Sequence, residues 1–366
     1  MLSAQGSAQT VQSLEAQTLL QKINNSQSMP QGLKEKAMQM IWRVDKLIQA
    51  SKYGEYESIE NYVNWITRIP FGNLWQDSLD FEKVKNHLNK NHHGLQSVKE
   101  KILEYLSIMK LKQMKNTSDE NQTQKPPILL FIGIQGIGKT TMAKSFAQAL
   151  GRQFTRISLG GMASVQELRG LSRTVPEAEP GQIIKALIHA GYMNPLILLD
   201  ELDKVSKTGG TNQDVMAALL EILDPAQNSS FVDRYVDFPV DVSQCLFIAT
   251  ANNIGGITSA LLDRMEVVRF TSYNDEDKEI IAKKYLLPKI RKQTGLTKKQ
   301  LNFSDDVWPL IIRPLGFDAG IRELERTLIN LARKVAKLIV EGQGESFTIS
   351  PENFRQFIPD DFGVYA

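Results

Sequence analysis

The sequence predicts an α/β domain, a parallel sheet with covering helices, set between an all-helical N-terminal region and a small helical lid. Three observations carry that prediction. Short apolar runs at Ile128 to Ile132, Phe154 to Ile157, Leu196 to Leu199, Leu246 to Ala249 and Val267 to Phe270 alternate with helical segments, as buried parallel strands with crossover helices require. Ahead of them, apolar residues recur every three or four positions, the period of one helix face. Beyond about Ser272 that period returns.

Taken in order, residues 1–29 are rich in Gln, Ser and Ala, with weak spacing at Leu14, Leu19, Leu20 and Ile23, and predict a flexible tail. Residues 30–115 predict a helical region. Leu33, Ala37, Ile41, Val44 and Ile48 mark one helix. Tyr56, Ile59, Val63 and Ile66 mark a second, which Pro70 and Gly72 terminate. A third begins at Asp80, and a fourth runs from about Leu95 to Met109. The polar stretch Asn116 to Lys125 and Pro126-Pro127 predict a linker over 116–127. The α/β domain then spans 128–272. A lid follows over 273–366, with helices at Glu279 to Lys292, Asp305 to Ile312 and Ile321 to Val340 and a short Phe347 to Ile349 strand. The basic run Lys283 to Lys299 is interleaved with Leu286, Leu287 and Ile290 and reads as one solvated helix face.

Composition narrows the class. At 366 residues, 42% hydrophobic and 23% charged, the chain is ordinary globular material. Lys+Arg 43 against Asp+Glu 41 leaves a formal charge of +2, which argues against a nucleic-acid partner on bulk electrostatics. A single cysteine, Cys245, sits before an apolar strand, forbids an internal disulfide and fits a reducing compartment. Neither a secretion signal nor an apolar run near the ~20 residues of a membrane span is present in the sequence. The expectation is a cytoplasmic protein without a membrane partner.

Directly after the first strand run comes Gly133-Ile134-Gln135-Gly136-Ile137-Gly138-Lys139-Thr140-Thr141, followed by the amphipathic Met142 to Leu150. The spacing G-x-x-x-x-G-K-[ST], between strand and helix, turns backbone N–H groups toward phosphate oxygens at a helix N-terminus. Lys139 is the candidate for the β and γ phosphates of ATP, and Thr140 for Mg²⁺. The run Leu196 to Leu199 ends in Asp200-Glu201. Asp200 is a candidate for the Mg²⁺ shell, and Glu201 for the general base that polarises the attacking water.

With these residues in place, the chain resembles the AAA+ ATPase module of Lon-type ATP-dependent proteases. The segments that carry the resemblance are Arg156 to Gly161, Ala218 to Pro225, Phe247 to Asn252, Leu261 to Glu266, and Asn61 to Trp65 with Ile69 to Gly72. It implies that Asn252 orients the hydrolytic water and that Arg264 is a finger reaching the γ-phosphate of a neighbouring subunit. By the same resemblance Arg322 is the lid arginine acting in cis, and His93, in Asn91 to Leu95, lies near the adenine. A finger acting in trans implies a ring of identical subunits, a hexamer, working on a protein substrate.

The sequence also departs from the family. It stops at Ala366, where the family's serine-lysine protease domain would begin, and no Gly-Pro-Ser-Ala-Gly-like segment occurs. The expectation is a motor without a peptidase site, driving a protease subunit on another chain or remodelling proteins by itself. Where the family places an aromatic-aliphatic pair to grip polypeptide, this sequence has Val175-Pro176-Glu177-Ala178-Glu179. That change keeps an alternative open, a nucleotide-dependent switch or scaffold that does not translocate substrate. Ile134-Gln135 replaces the usual two prolines, loosening the loop while keeping its N–H donors.

Overall fold

The computed structural model describes residues 13–115, 128–162, 164–205, 211–313 and 320–358. The segment read as a linker, 116–127, lies outside them.

The described residues open on a helix, α1 (Leu14–Asn25), inside the segment 1–29 that the sequence predicts as a flexible tail; residues 1–12 of that segment lie outside the described residues. Ser13 caps it, its hydroxyl accepting from the Ala16 N–H, and Ala16, Leu19 and Ile23 are buried. The apolar stripe is narrow but complete. Its spacing is weak to the eye because Gln, Thr and Lys fill the solvent side. Helix α1 packs against α2 (Gln31–Ile41), α3 (Val44–Gln49) and α4 (Tyr53–Ile66). The single helix expected from Leu33 to Ile48 is broken at Trp42 and Arg43, and both halves keep their buried face.

Helices α5 (Phe81–Asn91), capped by Asp80, and α6 (Gln96–Lys115) complete the N-terminal helices. These six do not form one unit. The α1 to α4 group shares a core with Leu130, Ile132, Ile197 and Leu199 of the sheet, whereas Val84, Leu88, Val98 and Ile102 pack with Leu129, Phe131 and Leu198 on its other face. Strand residues alternate between faces, so one sheet supports both groups.

The α/β domain follows in the order β1 (Ile128–Ile132), α7 (Lys139–Leu150), β2 (Phe154–Ser158), α8 (Val165–Arg169), α9 (Gln182–Ala190), β3 (Leu196–Asp200), α10 (Thr211–Leu223), β4 (Phe231–Val232), β5 (Pro239–Val240), β6 (Leu246–Ala251), α11 (Ser259–Leu262) and β7 (Met265–Arg269). Strands β2-β3-β6-β1-β7 form one parallel sheet in that spatial order, from the runs the sequence predicted. The apolar composition of the central strands β3, β6 and β1 suits a sheet covered on both faces. Cys245 sits just before β6, half-buried, its thiol donating to Met193 O at 3.4 Å.

The lid comprises α12 (Asp275–Ile281), α13 (Leu287–Thr294), β8 (Leu301–Phe303), α14 (Trp308–Ile312), α15 (Arg322–Val340) and β9 (Phe347–Ile349) around its own core. A π-helical turn, Ala282 to Leu286, joins α12 to α13. Pro288, at the start of α13, has no N–H for the carbonyl one turn back, which accounts for the widened turn. β9 pairs in parallel with β8, a strand the sequence did not reveal.

Candidate functional site

At the C-terminal ends of β1, β3 and β6 the chain leaves the sheet three times, and the candidate residues meet there. A cleft of about 500 Å³ is lined by Gln135 to Thr141, Asp200, Glu201, Asn252, Arg322 and His93. Carboxyl ends of parallel strands are where open α/β sheets place their ligands.

The loop between β1 and α7 is shaped by its glycines. Gly136 and Gly138 have φ of +78° and +101°, a left-handed backbone that side-chain-bearing residues rarely adopt. A Cβ on Gly136 would sit 3.0 Å from Arg322 Cβ and 3.1 Å from the Arg322 N. Gly136 O in turn accepts the Ile321 N–H at 3.1 Å, so the lid rests directly on the loop. Gly138 caps α7 without a side-chain bond, leaving the first N–H groups of a 12-residue helix directed to the cleft.

Lys139 is buried and fully engaged. Its Nζ donates to Gly133 O, to Ile134 O at 2.9 Å and to Asn252 Oδ1 at 3.0 Å. Burial lowers its pKa from the usual lysine value, opposed by the nearby Asp200, Asp203 and Glu201. Gly133 and Ile134, expected at the phosphates, do not line the cleft and contribute through their carbonyls, which hold Lys139.

Asp200, the last residue of β3, has both oxygens occupied. Oδ1 accepts the Thr250 hydroxyl and Oδ2 accepts Arg156 Nε at 2.6 Å. Glu201 follows in a left-handed conformation, φ 60° and ψ 46°. Its N–H donates to Thr250 Oγ1 at 3.0 Å, and its Oε1 accepts Lys204 Nζ at 2.8 Å. A Cβ on Gly160 would overlap Glu201 Oε2 and lie 3.2 Å from Glu201 Cβ. Thr250 and Arg156 are site residues that the sequence reading left without a role. Both lie inside segments that carried the family resemblance, and only the in-register strands bring them to Asp200.

At the opposite end, His93 Nε2 lies 2.9 Å from Asp277 Oδ1 of α12, joining the helix-α5 side of the cleft to the lid. His92, beside it, contacts Ser145 Oγ of α7 at 2.8 Å. Burial, helped by Lys99 and His87, pushes its pKa down to about 4, so it is neutral at pH 7. The π turn brings Tyr285 and Leu286 to the cleft wall. Tyr273 donates its hydroxyl to Ile137 O at 3.1 Å.

Arg264 is not among these residues. It lies between α11 and β7, donating to Ala260 O at 2.9 Å and to Asp224 Oδ2 at 3.3 Å. Among the described residues no group of three or more His, Cys, Asp or Glu is placed to hold a metal. Thr140 and Asp200 offer one hydroxyl and one carboxylate in the same cleft, a donor set that suits a hard cation sharing its shell with phosphate and water.

The glycine loop on a helix N-terminus, the parallel sheet and the lid seated on the loop define a P-loop α/β module of the AAA+ type. Residues 129–273 match the family described as ATPase family associated with various cellular activities (AAA), and residues 292–347 match the Lon protease AAA+ ATPase lid domain. Lon protease 1 of Bacillus subtilis is 42% identical over 344 residues, covering 94% of this chain and 43% of that protein. The Lon protease of Dictyoglomus thermophilum is 43% identical over 354 residues, 96% of this chain and 43% of that protein. That of Trichlorobacter lovleyi is 41% identical over 339 residues, 93% and 40% respectively. The chain belongs to the Lon family, as an AAA+ ATPase module with its lid, and spans less than half the length of these relatives. No described helix is long and apolar enough to cross a membrane.

Proposed function

We propose that the protein binds ATP with Mg²⁺ in this cleft, hydrolyses it, and works as a ring-forming motor on protein substrates, within ATP-dependent proteolysis or protein remodelling. The observation that carries the reading is the convergence of the glycine loop, Asp200, Glu201, Asn252 and Arg322 on one cleft.

Residues 135–141 bind the phosphates through backbone N–H groups, with Lys139 as the fixed cation, which Gly133 and Ile134 hold through their carbonyls. Thr140 and Asp200 hold Mg²⁺, which when bound neutralises charge developing on the phosphate oxygens. Glu201 takes a proton from the attacking water once its carboxylate is released from Lys204, and Asn252 orients that water. Arg322 reaches the phosphates from the lid, and His93 lies toward the base. Arg264 does not line its own cleft and acts on that of the adjacent subunit, which supports a ring, most simply a hexamer. A protease domain on the same or another polypeptide would use the motor's work.

The test is Glu201→Gln, which keeps the shape of the side chain and removes its basicity. Nucleotide affinity should persist while turnover falls on the order of 10²-fold or more. Unchanged turnover would assign the base elsewhere.

A second reading, a nucleotide-dependent switch or scaffold, is favoured by the loop at 171–181. Val175 is exposed there, and Glu179 is held by Lys185 at 2.5 Å in place of an aromatic grip. Stimulation of turnover by unfolded protein favours the motor. Nucleotide-dependent assembly without stimulation favours the switch.

A further inference from the structure

Both acids at the end of β3 are held by bases of the same chain: Asp200 by Arg156 at 2.6 Å and Glu201 by Lys204 at 2.8 Å. The first pair is built into the sheet. Arg156 is the register partner of Leu198, and Ser158 that of Asp200, so Arg156 lies two residues back along the neighbouring strand. Two residues of strand span roughly 7 Å, a distance only a long side chain crosses. Arg156 and Asp200 share one sheet face, since side chains two residues apart point the same way.

The two partners differ in freedom. The Asp200 side chain is 8% exposed, and Thr250 fixes its other oxygen; the Arg156 side chain is 50% exposed and lines the same cleft as Lys139 and Thr140. The carboxylate is thus immobile, and the guanidinium is the member able to leave. A divalent cation at Thr140 and Asp200 needs the negative charge that Arg156 neutralises, and two cations sharing one carboxylate repel each other.

We propose that Arg156 is a positioning residue that occupies Asp200 as a stand-in cation and thereby sets the divalent-metal affinity of the site, an inference that rests on the metal reading above. Metal loading is then an exchange in which the guanidinium swings off Oδ2 toward solvent. The site keeps its carboxylate partnered in either state and releases the metal more readily than an acid without a competing base would.

The test titrates manganese(II) into the full chain with saturating ADP, reading free manganese by electron paramagnetic resonance. Arg156→Gln and the β-favouring Arg156→Thr should bind manganese roughly tenfold more tightly than the unmodified protein. Arg156→Lys, which keeps the charge, should stay within about threefold of it. Thermal unfolding establishes that each variant is folded, and the half-exposed position on an edge strand makes loss of the fold in both neutral variants unexpected. Unchanged or weaker manganese binding in a folded neutral variant overturns the inference. Asp200→Asn separates the two claims: if it binds manganese as the unmodified protein does, the metal reading itself fails, whereas loss of binding there with no effect of Arg156→Gln defeats only the role given to Arg156.

Discussion

Asn252 Oδ1 accepts a hydrogen bond from Lys139 Nζ at 3.0 Å, tying the segment after β6 to the first turn of α7. With Gly133 O and Ile134 O as the other acceptors, all three ammonium donors are engaged, so an incoming phosphate must displace at least one. Asn252→Ala frees that donor. Nucleotide affinity should change by less than about threefold while turnover drops at least roughly tenfold. Affinity falling in parallel with turnover would show that Asn252 only supports Lys139.

Gly160 leaves room for the Glu201 carboxylate. A methyl group there overlaps Oε2 and presses on Cβ, while the Glu201 backbone is pinned through its N–H to Thr250. Gly160→Ala should therefore move the carboxylate without moving the loop, lowering turnover on the order of 10-fold or more with nucleotide affinity nearly intact. A variant as active as the unmodified protein would mean that Glu201 works from another rotamer.

His92 confers acid sensitivity. Its pKa is pushed down to about 4 by burial, against about 6.5 in an unfolded chain. Below pH 6.5 the unfolded state takes up a proton that the native state refuses, so stability is lost as pH falls from about 6.5 to about 4. Between pH 7 and pH 5 this is worth roughly 2 kcal/mol. His92→Gln can keep a hydrogen bond with Ser145 and should remove that increment. Urea unfolding of both proteins at the two pH values measures it, and equal losses would contradict the assignment.

Asp233 is completely buried and accepts three backbone N–H groups, from Gly181 at 2.7 Å, Tyr235 at 2.8 Å and Val236 at 3.1 Å. Asp233→Asn replaces one accepting oxygen with a donor facing an N–H. A loss of roughly 2–4 kcal/mol in thermal or urea unfolding is expected, together with faster proteolysis in the 171–181 loop, whose far end Gly181 anchors. Proteolysis unchanged in a destabilised variant would confine the role of Asp233 to the core.

Arg264 is held at the end of α11 by Ala260 and Asp224, outside its own cleft. Arg264→Ala should suppress turnover by roughly 10²-fold or more while sparing nucleotide affinity. Mixing it with Glu201→Gln should restore activity at interfaces where an intact arginine meets an intact glutamate. Turnover independent of protein concentration in a monomeric preparation would remove the trans role.

The parallel sheet is legible because its three central strands, β1, β3 and β6, are short, nearly all-apolar runs, and the glycine loop because its spacing leaves few alternatives. What escaped the sequence depends on pairing across space. Arg156 reads as a surface charge until register sets it beside Asp200. Leu301 to Phe303 is too short to announce a strand, and becomes one only against Phe347 to Ile349. Helix α1 is hard to recognise from sequence because only Ala16, Leu19 and Ile23 mark its buried face. The N-terminal helices read as one region because period reveals that a face is buried, not which side of the sheet buries it.

The in-register pairing of β3, β6 and β1 also acts as the ruler of the cleft. Asp200 and Thr250 leave neighbouring strands at the same height, and the glycine loop starts two residues beyond Phe131, the β1 partner of Thr250, so the backbones that carry carboxylate, hydroxyl and phosphate cradle are set apart by the inter-strand spacing of about 4.8 Å. That interval is enforced by main-chain bonds and is indifferent to side-chain identity along the strands. Phe247 or Leu198 could be exchanged for other apolar residues without altering it, but inserting one residue into β3 would turn Asp200 to the opposite face, away from Thr250 and Arg156.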